Sequence, residues 1–326
     1  MTRSAPKTVW RNYFSVIEFF QQFSTEDACE NEVIRIKFGE SGFKCSNCEC
    51  KKYYKYKSPL LKRRRLLECV ECGKQTSLTK NTLFENSKIP LLKWFIAIYE
   101  ITQTKKGISA CRLSRKIKVS ETTARIMLYK IRAEMEENAI EYQVGGPGYI
   151  VEIDEIEIGG KGKKKQNVLI VLEKEKANER LGRVRFAPMP DKSVSSIELN
   201  FIPLVKKGTN IHSDGKITYK KLATRYHLHL EQVSHVEENY TYSFLQDLNT
   251  IVGNLKNWYK GTHHSFSLKN TSYYLNEFAY RFNRRRIEKN IFERLLTRSI
   301  TRAKRLKVKD FYKQKPYLPL YFPLAA

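Results

Sequence analysis

Acidic residues are scarce in this chain of 326 residues, which has 34 Asp and Glu against 60 Lys and Arg and a formal net charge of +26. Cysteine is sparse too, with seven residues. The sequence has no run of about 20 apolar residues, the length that a membrane-spanning helix needs. It also has no internal repeat and no low-complexity stretch. These absences argue against a membrane-spanning protein, a repeat array and a disulfide-rich secreted scaffold.

The excess of basic residues indicates a polyanionic partner. With 41% hydrophobic residues the chain can bury a real core, which we expect to be divided between two or three domains. The N-terminal residues contain no apolar core of a signal peptide. We therefore expect a soluble cytoplasmic protein, associated with the nucleoid, that binds nucleic acid and no membrane.

Four of the seven cysteines form two Cys-x-x-Cys pairs with 20 residues between them. This spacing allows two knuckles to close one tetrahedral site, and in an intracellular chain it favours zinc over disulfides. The predicted zinc ligands are Cys45, Cys48, Cys69 and Cys72. We interpret Cys29, Cys50 and Cys111 as ordinary cysteines.

The segment between the two cysteine pairs interleaves cations with aromatics, in Lys51–Lys57 and then Lys62–Arg65. Such a pattern suits phosphate contact combined with base stacking, although a solvated charged loop explains it equally well. The basic segment that opens at Arg281 has 12 Lys or Arg against 3 acids up to residue 310. We expect it to bind DNA phosphates through Arg284 and Arg285, with a solvated helix face as the alternative.

Residues 90–135 have helical periodicity with breaks near residues 104–107 and 117–119, which predicts three helices and suggests a helix-turn-helix. The last helix is capped by Ser120 and exposes Thr122, Thr123 and Arg125 near its start. A recognition helix contacts base edges at that position. A purely structural three-helix bundle is the alternative.

After a glycine-rich linker at Val144–Gly148, the pattern changes to strands followed by alternating strands and helices, which predicts a mixed α/β domain. The strand at residues 149–158 carries Asp154, and a second strand at residues 210–213 leads into Asp214. Two aspartates on neighbouring strands could bind Mg²⁺ together, because this cation prefers hard oxygen ligands. A third ligand could come from a downstream helix that carries Asp247 and Asn254.

The order of these motifs resembles the zinc-ribbon insertion-sequence transposases of the ISXO-two-like group, relatives of the Merlin elements. The resemblance covers most of the chain and is carried by the following segments: Cys45 to Cys72, Gln75–Ser77, Thr82–Phe84, Ile89–Phe95, Lys105–Ala110, Val151–Glu155, Ile158–Lys161, Ser213–Gly215, Tyr219, Asn254–Trp258, Gly261–His264 and Tyr274–Arg285. One departure lies in the first knuckle, where Ser46 stands in place of the family's common proline.

The resemblance implies an RNase H-like catalytic domain with Asp154 and Asp214 as catalytic aspartates, Asn254 as the third catalytic residue and Mg²⁺ or Mn²⁺ as cofactor. Asp247 is the alternative third ligand. It further implies binding to the element's terminal inverted repeats and to target DNA, followed by strand cleavage and strand transfer. Assembly of a homo-oligomer on paired DNA ends is expected.

The expected organisation has N-terminal helices and a zinc ribbon at residues 1–85, a helix-turn-helix region at 86–144, the catalytic domain at 145–290 and a basic tail at 291–326. Two other functions fit the sequence. The chain could be an inactive or domesticated DNA-binding regulator that uses the nuclease fold as a scaffold, or it could bind RNA through the ribbon.

Overall fold

The computed structural model describes residues 14–56, 65–104, 106–139, 141–159, 165–233, 244–263, 268–286, 291–303 and 311. The chain divides into two compact units. One comprises residues 1–134 and 286–307, and the other comprises residues 135–285 and 308–326. Within the described ranges, none of the helices has the length and apolar character needed to cross a membrane.

The first unit begins with two short helices and the zinc ribbon. The side chain of Ser15 caps α1 (Val16–Gln22) and that of Thr25 caps α2 (Glu26–Phe38), each by accepting a backbone N–H of the first turn. The ribbon follows as an antiparallel sheet of β1 (Tyr53–Tyr56), β2 (Leu66–Cys69) and β3 (Gln75–Ser77).

Four further helices belong to the first unit: α3 (Leu91–Gln103), α4 (Ala110–Ile117), α5 (Glu121–Glu134) and, near the end of the chain, α10 (Ile291–Thr301). The first three lie where the sequence predicts three helices. Helix α10 lies within the segment predicted to be a basic tail. Its Phe292 is fully buried and stacks on Phe14 with ring centroids 5.4 Å apart, in a cluster that includes Phe19, Phe23, Phe95 and Tyr99.

The second unit is built on a five-stranded mixed sheet in the order β6-β5-β4-β7-β8. Strands β4 (Tyr149–Ile158), β5 (Gln166–Glu175) and β6 (Leu181–Met189) form an antiparallel meander. Strands β7 (Asn210–Asp214) and β8 (His229–Val233) run parallel to β4. The helices of this unit are α6 (Val194–Phe201), α7 (Ile217–Tyr226), α8 (Gln246–Trp258) and α9 (Thr271–Asn283).

Helices cover both faces of this sheet. Val151 and Ile153 of β4 belong to a buried cluster with residues of α6 and α7. On the opposite face α8 packs on β4, and Phe278 of α9 contacts Phe186 of β6 with ring centroids 5.8 Å apart. The mixed α/β, RNase H-like fold predicted from the sequence is confirmed, and β4 lies at its centre with helices on each side.

Candidate active site and zinc ribbon

Asp154 and Asp214 come from adjacent parallel strands. Strand β4 pairs with β7 from Ile150 opposite Asn210 to Ile153 opposite Ser213, so the next residues along the two strands are the two aspartates. Residues at matching positions of neighbouring strands project from the same face of a sheet. The topology therefore brings together two carboxylates that are 60 residues apart in the sequence.

A lysine contacts both aspartates. The Nζ of Lys216 lies 2.8 Å from Oδ2 of Asp214 and 3.7 Å from Oδ1 of Asp154. The same ammonium is 2.5 Å from Oε2 of Glu155, whose side chain is completely buried. Three carboxylates therefore surround one cation, beside the middle of β4 and the end of β7.

The protein environment raises the pKa of Asp154, mainly because burial disfavours the charged form. The charge of Lys216 and a hydrogen bond from the backbone N–H of Glu155 oppose this shift, whereas Asp214 and Glu155 add to it. Nearby negative charge and burial both favour the binding of a cation by these side chains. The site has the electrostatics and the hard oxygen donors that suit Mg²⁺ or Mn²⁺.

Two neutral side chains hold the carboxylates and the loop in place. The hydroxyl of the buried Tyr219 donates a hydrogen bond to Oε1 of Glu155. From β8, the amide Nε2 of Gln232 donates to Ser213 Oγ at 3.0 Å, to the carbonyl of Asp214 at 2.7 Å and to that of Lys216 at 3.0 Å. Gln232 thus fixes the backbone around Asp214, and Tyr219 fixes the side chain of Glu155.

Helix α8 is anchored at its start by Glu152, which lies on the same face of β4 as Asp154. The backbone N–H of Leu248 donates to Oε2 of Glu152 at 2.8 Å. Burial raises the pKa of this carboxyl to about 7. Asp247, the alternative third ligand, forms an ion pair with Lys174 at 2.8 Å.

Helix α8 runs along β4 in the same direction as the strand. Its start contacts Glu152, and its end lines a cavity of about 220 Å³ together with Glu157 and Ile158 of β4. Asn254 lies between these levels and its side chain is exposed. Asn254 therefore lies further along β4 than Asp247, between the levels of Glu152 and Glu157. Asp247 lies at the level of Glu152.

The four predicted zinc ligands of the ribbon converge. The sulfurs of Cys45, Cys48, Cys69 and Cys72 all lie within 4.8 Å of one another. Three of the sulfur–sulfur distances, Cys45–Cys72, Cys48–Cys69 and Cys48–Cys72, are 3.4 to 3.6 Å. Tetrahedral zinc with Zn–S bonds of about 2.3 Å separates its sulfurs by roughly 3.8 Å, so the cluster fits Zn²⁺.

The two knuckles of the ribbon have matching backbones. The residue after the second cysteine has a positive φ in both, at Glu49 and Gly73. In both, its N–H donates to the carbonyl of the first cysteine, at 3.1 Å. Two matching turns with four converging sulfurs are the arrangement of a zinc ribbon.

Comparison with protein families gives two matches, each at the position of one of these sites. The ISXO2-like transposase domain matches residues 144–283, which include β4, β7 and α8. The transposase zinc-ribbon domain matches residues 24–75, which include all four cysteines. Both domains of the zinc-ribbon ISXO2-like transposases are therefore present in this chain.

Among solved structures, the chain aligns with one described as "CryoEM structure of simian T-cell lymphotropic virus intasome in complex with PP2A regulatory subunit B56 gamma". The alignment covers 52% of this chain and 63% of that chain, at 13% identity and with a TM-score of 0.28. That chain is thus spanned over less than two thirds of its length, and so low a similarity supports no inference. No curated protein matches this chain.

The three predicted DNA-contacting residues of α5 lie at the start of that helix. Thr122 and Arg125 are exposed, whereas Thr123 is half-buried. The hydroxyl of Ser120 accepts the backbone N–H of Thr123 at 3.1 Å, and Arg125 pairs with Glu121 one turn earlier. Helices α4 and α5 are joined by a short turn with Lys118 in the left-handed conformation.

Arg284 and Arg285 both bond to groups of the same chain. The guanidinium of Arg284 lies 2.6 Å from Oε1 of Glu137 and over the ring of Tyr280. Arg285 donates to the carbonyls of Leu181 and Gly182 in β6. In this structure Arg285 attaches the end of α9 to the edge strand β6 and Arg284 attaches it to Glu137, and the contact of both arginines with DNA stays a prediction.

Several basic residues of the predicted DNA contacts lie outside the described part of the chain, among them Lys57 and Lys62–Arg64. Of the remaining ribbon loop, Lys55 lies 2.5 Å from Asp27 and Arg65 lies 2.6 Å from Glu26, while Lys51 and Lys52 are exposed.

Sequence reasoning gave no role to Lys216 or Gln232. Lys216 follows the Ser213–Gly215 motif directly, which is the only signal that could have drawn attention to it. Gln232 gives no signal, because its link to the Asp214 loop depends on the pairing of β7 with β8.

Proposed function

We propose that this transposase binds the terminal inverted repeats of its insertion sequence and cuts and rejoins DNA strands at a metal site held by Asp154 and Asp214. The observation that carries the proposal is the meeting of the two aspartates on adjacent parallel strands around a common cation, the ammonium of Lys216. A position that already holds a positive charge between two carboxylates is suited to a divalent cation.

Metal ions bound at this position would activate an attacking oxygen and stabilise the leaving oxygen of an in-line phosphodiester displacement. The aspartates would hold and orient the metal. Water attack would give strand cleavage and attack by a DNA 3′-hydroxyl would give strand transfer, so both steps can use the same residues. Gln232 holds the backbone of Asp214 and Lys216, and Tyr219 holds the side chain of Glu155 next to Asp154.

We infer that Asn254 is the third catalytic residue. It lies on α8 beyond the level of Asp154, and its exposed amide can approach a metal or a substrate. Its carbonyl oxygen can coordinate a hard cation but cannot act as a base, because an amide does not accept a proton at neutral pH. Asp247 is less suitable, since Lys174 already neutralises it at the opposite end of the helix.

DNA selection is assigned to the first unit. The zinc ribbon and the start of α5, with Thr122, Thr123 and Arg125, would contact the inverted repeats, and other basic residues would supply salt-dependent contacts to phosphates. Arg284 and Arg285 would join those contacts only if they exchanged their present partners for phosphate. We expect two or more subunits on paired DNA ends, because both ends of an element must be cut together.

Cleavage of a labelled duplex that carries the element end and its flank tests the proposal. Wild type, Asp154→Asn and Asp214→Asn are compared in Mg²⁺, Mn²⁺ and EDTA, with Asp191→Asn as an exposed control. We expect metal-dependent cuts at the element boundary in wild type and control, and a loss of at least about a thousandfold in both site variants.

Specific binding without any cut by wild type would contradict the proposal and support a DNA-binding regulator. Undiminished cleavage by both site variants would remove the two aspartates from the active site. Preferential binding of RNA over inverted-repeat DNA would contradict the assigned substrate.

A further inference from the structure

We propose that Lys216 is a tethered counter-ion of the aspartate pair, which occupies Asp154 and Asp214 in the metal-free protein and gives them up when a divalent cation binds. The inference rests on the proposed function, because it takes the two aspartates as the metal ligands. It assigns to Lys216 the role of a positioning residue that sets the metal affinity of the site.

The backbone of Lys216 is fixed, so only its side chain has to move. Lys216 is the N-cap residue of α7. Its carbonyl accepts a hydrogen bond from Gln232 at 3.0 Å, and its N–H lies 3.4 Å from Oδ1 of Asp214. A lysine attached this firmly beside Asp214 keeps its ammonium within reach of the site in every state.

The ammonium and a metal ion cannot share the aspartates without cost. Nζ is 2.8 Å from Asp214 Oδ2, an oxygen that a divalent ion would bind at about 2.1 Å. The two cations would then lie a few ångströms apart and repel each other. The metal must therefore displace the ammonium, and this competition lowers the metal affinity of the wild-type site.

Glu155 provides the position to which Lys216 withdraws. Its carboxylate is fully buried and carries a negative charge that needs a partner. It already bonds Lys216 on one oxygen and Tyr219 on the other. After release from the aspartates the ammonium stays on Glu155, so a small rotation of the lysine side chain is sufficient.

The full-length, zinc-loaded protein is titrated with Mn²⁺, and free Mn²⁺ is measured by electron paramagnetic resonance. The variants are Lys216→Met, Lys216→Arg, the control Lys220→Met on an exposed position of α7, and Asp154→Asn to define binding elsewhere. We expect Lys216→Met to bind about tenfold more tightly than wild type, because the competing charge is gone. Lys216→Arg and Lys220→Met should stay within about twofold of wild type.

Lys216→Met leaves Glu155 buried with Tyr219 as a neutral partner, which could prevent folding. The double variant Lys216→Met with Glu155→Gln removes both charges and keeps the tyrosine hydrogen bond. It should show the same tightening. A second readout is thermal unfolding, in which Mn²⁺ should raise the midpoint of either variant more than that of wild type.

The outcomes separate this inference from the proposed function. Wild type that binds Mn²⁺ no better than Asp154→Asn would overturn both. Wild type that binds Mn²⁺ at the site, with unchanged or weaker affinity in Lys216→Met and in the double variant, would overturn only the role of Lys216.

Discussion

The zinc ribbon and the acidic site are both suited to metals, but they are assembled in opposite ways. The ribbon takes its four ligands from two local turns, each of which repeats the same backbone conformation. The acidic site takes its aspartates from two strands that only the folded sheet brings together. Four thiolates close the coordination of zinc, whereas two aspartates leave positions open for water and substrate. The first arrangement stabilises a fold and the second permits chemistry.

The two sites also differ in what supports them without metal. The ribbon sulfurs lie mainly against one another. The aspartates are held by Lys216, by the buried Glu155 and Tyr219, and by Gln232 from the neighbouring strand. We therefore expect the ribbon to need its metal in order to fold, and the acidic site to be formed before its metal arrives.

Loss of zinc should give the largest effect. We expect Cys69→Ser to lower bound zinc from one ion per chain to none and to unfold the ribbon, because binding of structural zinc contributes about 10 kcal/mol or more. Zinc analysis and hydrogen exchange of residues 43–78 measure this. Cys111→Ser, outside the cluster, should retain its zinc. Mn²⁺ binding at Asp154 should survive in both variants, and its loss in Cys69→Ser would show that the two sites are not independent.

Replacement of Asn254 tests which residue completes the acidic site. We expect Asn254→Ala to reduce cleavage by about a hundredfold, the size of effect expected for a lost metal- or substrate-orienting group. Asn254→Asp should retain most of the activity because its carboxylate can still coordinate a cation. Asp247→Asn serves as the comparison and should stay within about threefold of wild type. A larger loss of cleavage in Asp247→Asn than in Asn254→Ala would make Asp247 the third ligand.

Glu152 should make the stability of the second unit depend on pH. Its pKa is raised to about 7 in the folded protein, so folding favours the protonated form. The free energy of unfolding of wild type should therefore fall as pH rises from about 4.5 to about 7 and level off above that. Glu152→Gln keeps an acceptor for Leu248 and should gain about 2 kcal/mol on wild type over this range.

Chemical denaturation of both proteins at pH 5, 6, 7 and 8 measures the gain. Glu157→Gln is the control, because Lys165 and Lys192 lower the pKa of Glu157, so its difference from wild type should stay nearly constant over this pH range. A constant difference between Glu152→Gln and wild type would show that the Glu152 carboxyl titrates normally.

The smallest effects should separate DNA-contacting arginines from structural ones. We expect Arg125→Ala to weaken binding of the inverted repeat by about 1 kcal/mol and to leave the thermal midpoint unchanged, because its partner Glu121 is exposed. Arg284→Ala should instead lower the midpoint by several degrees, since Glu137 and Tyr280 lose a buried partner. Fluorescence anisotropy and thermal unfolding of the same samples measure both. Equal loss of DNA binding in the two variants would place Arg284 on DNA.

The sequence was most informative where structure is local. The spacing of the cysteine pairs predicted the ribbon, and the strand patterns predicted β4 and β7 with Asp154 and Asp214 on them. Lys216 and Gln232 could not be predicted in their roles, because these depend on parallel pairing of β7 with β4 and β8. The partners of Arg284 and Arg285 could not be predicted either, because a run of arginines has the same sequence whether it binds phosphate or bonds within the protein.

We propose that Asp154 and Asp214 form a metal site, and that a bound divalent cation displaces the Lys216 ammonium from it. Anomalous diffraction from crystals of the full chain grown with Mn²⁺ tests it directly. We expect Mn²⁺ at about 2.1 Å from carboxylate oxygens of both aspartates, with the Lys216 ammonium withdrawn to Glu155. An ammonium still lying between the aspartates, with no manganese beside them at saturating concentration, would contradict it.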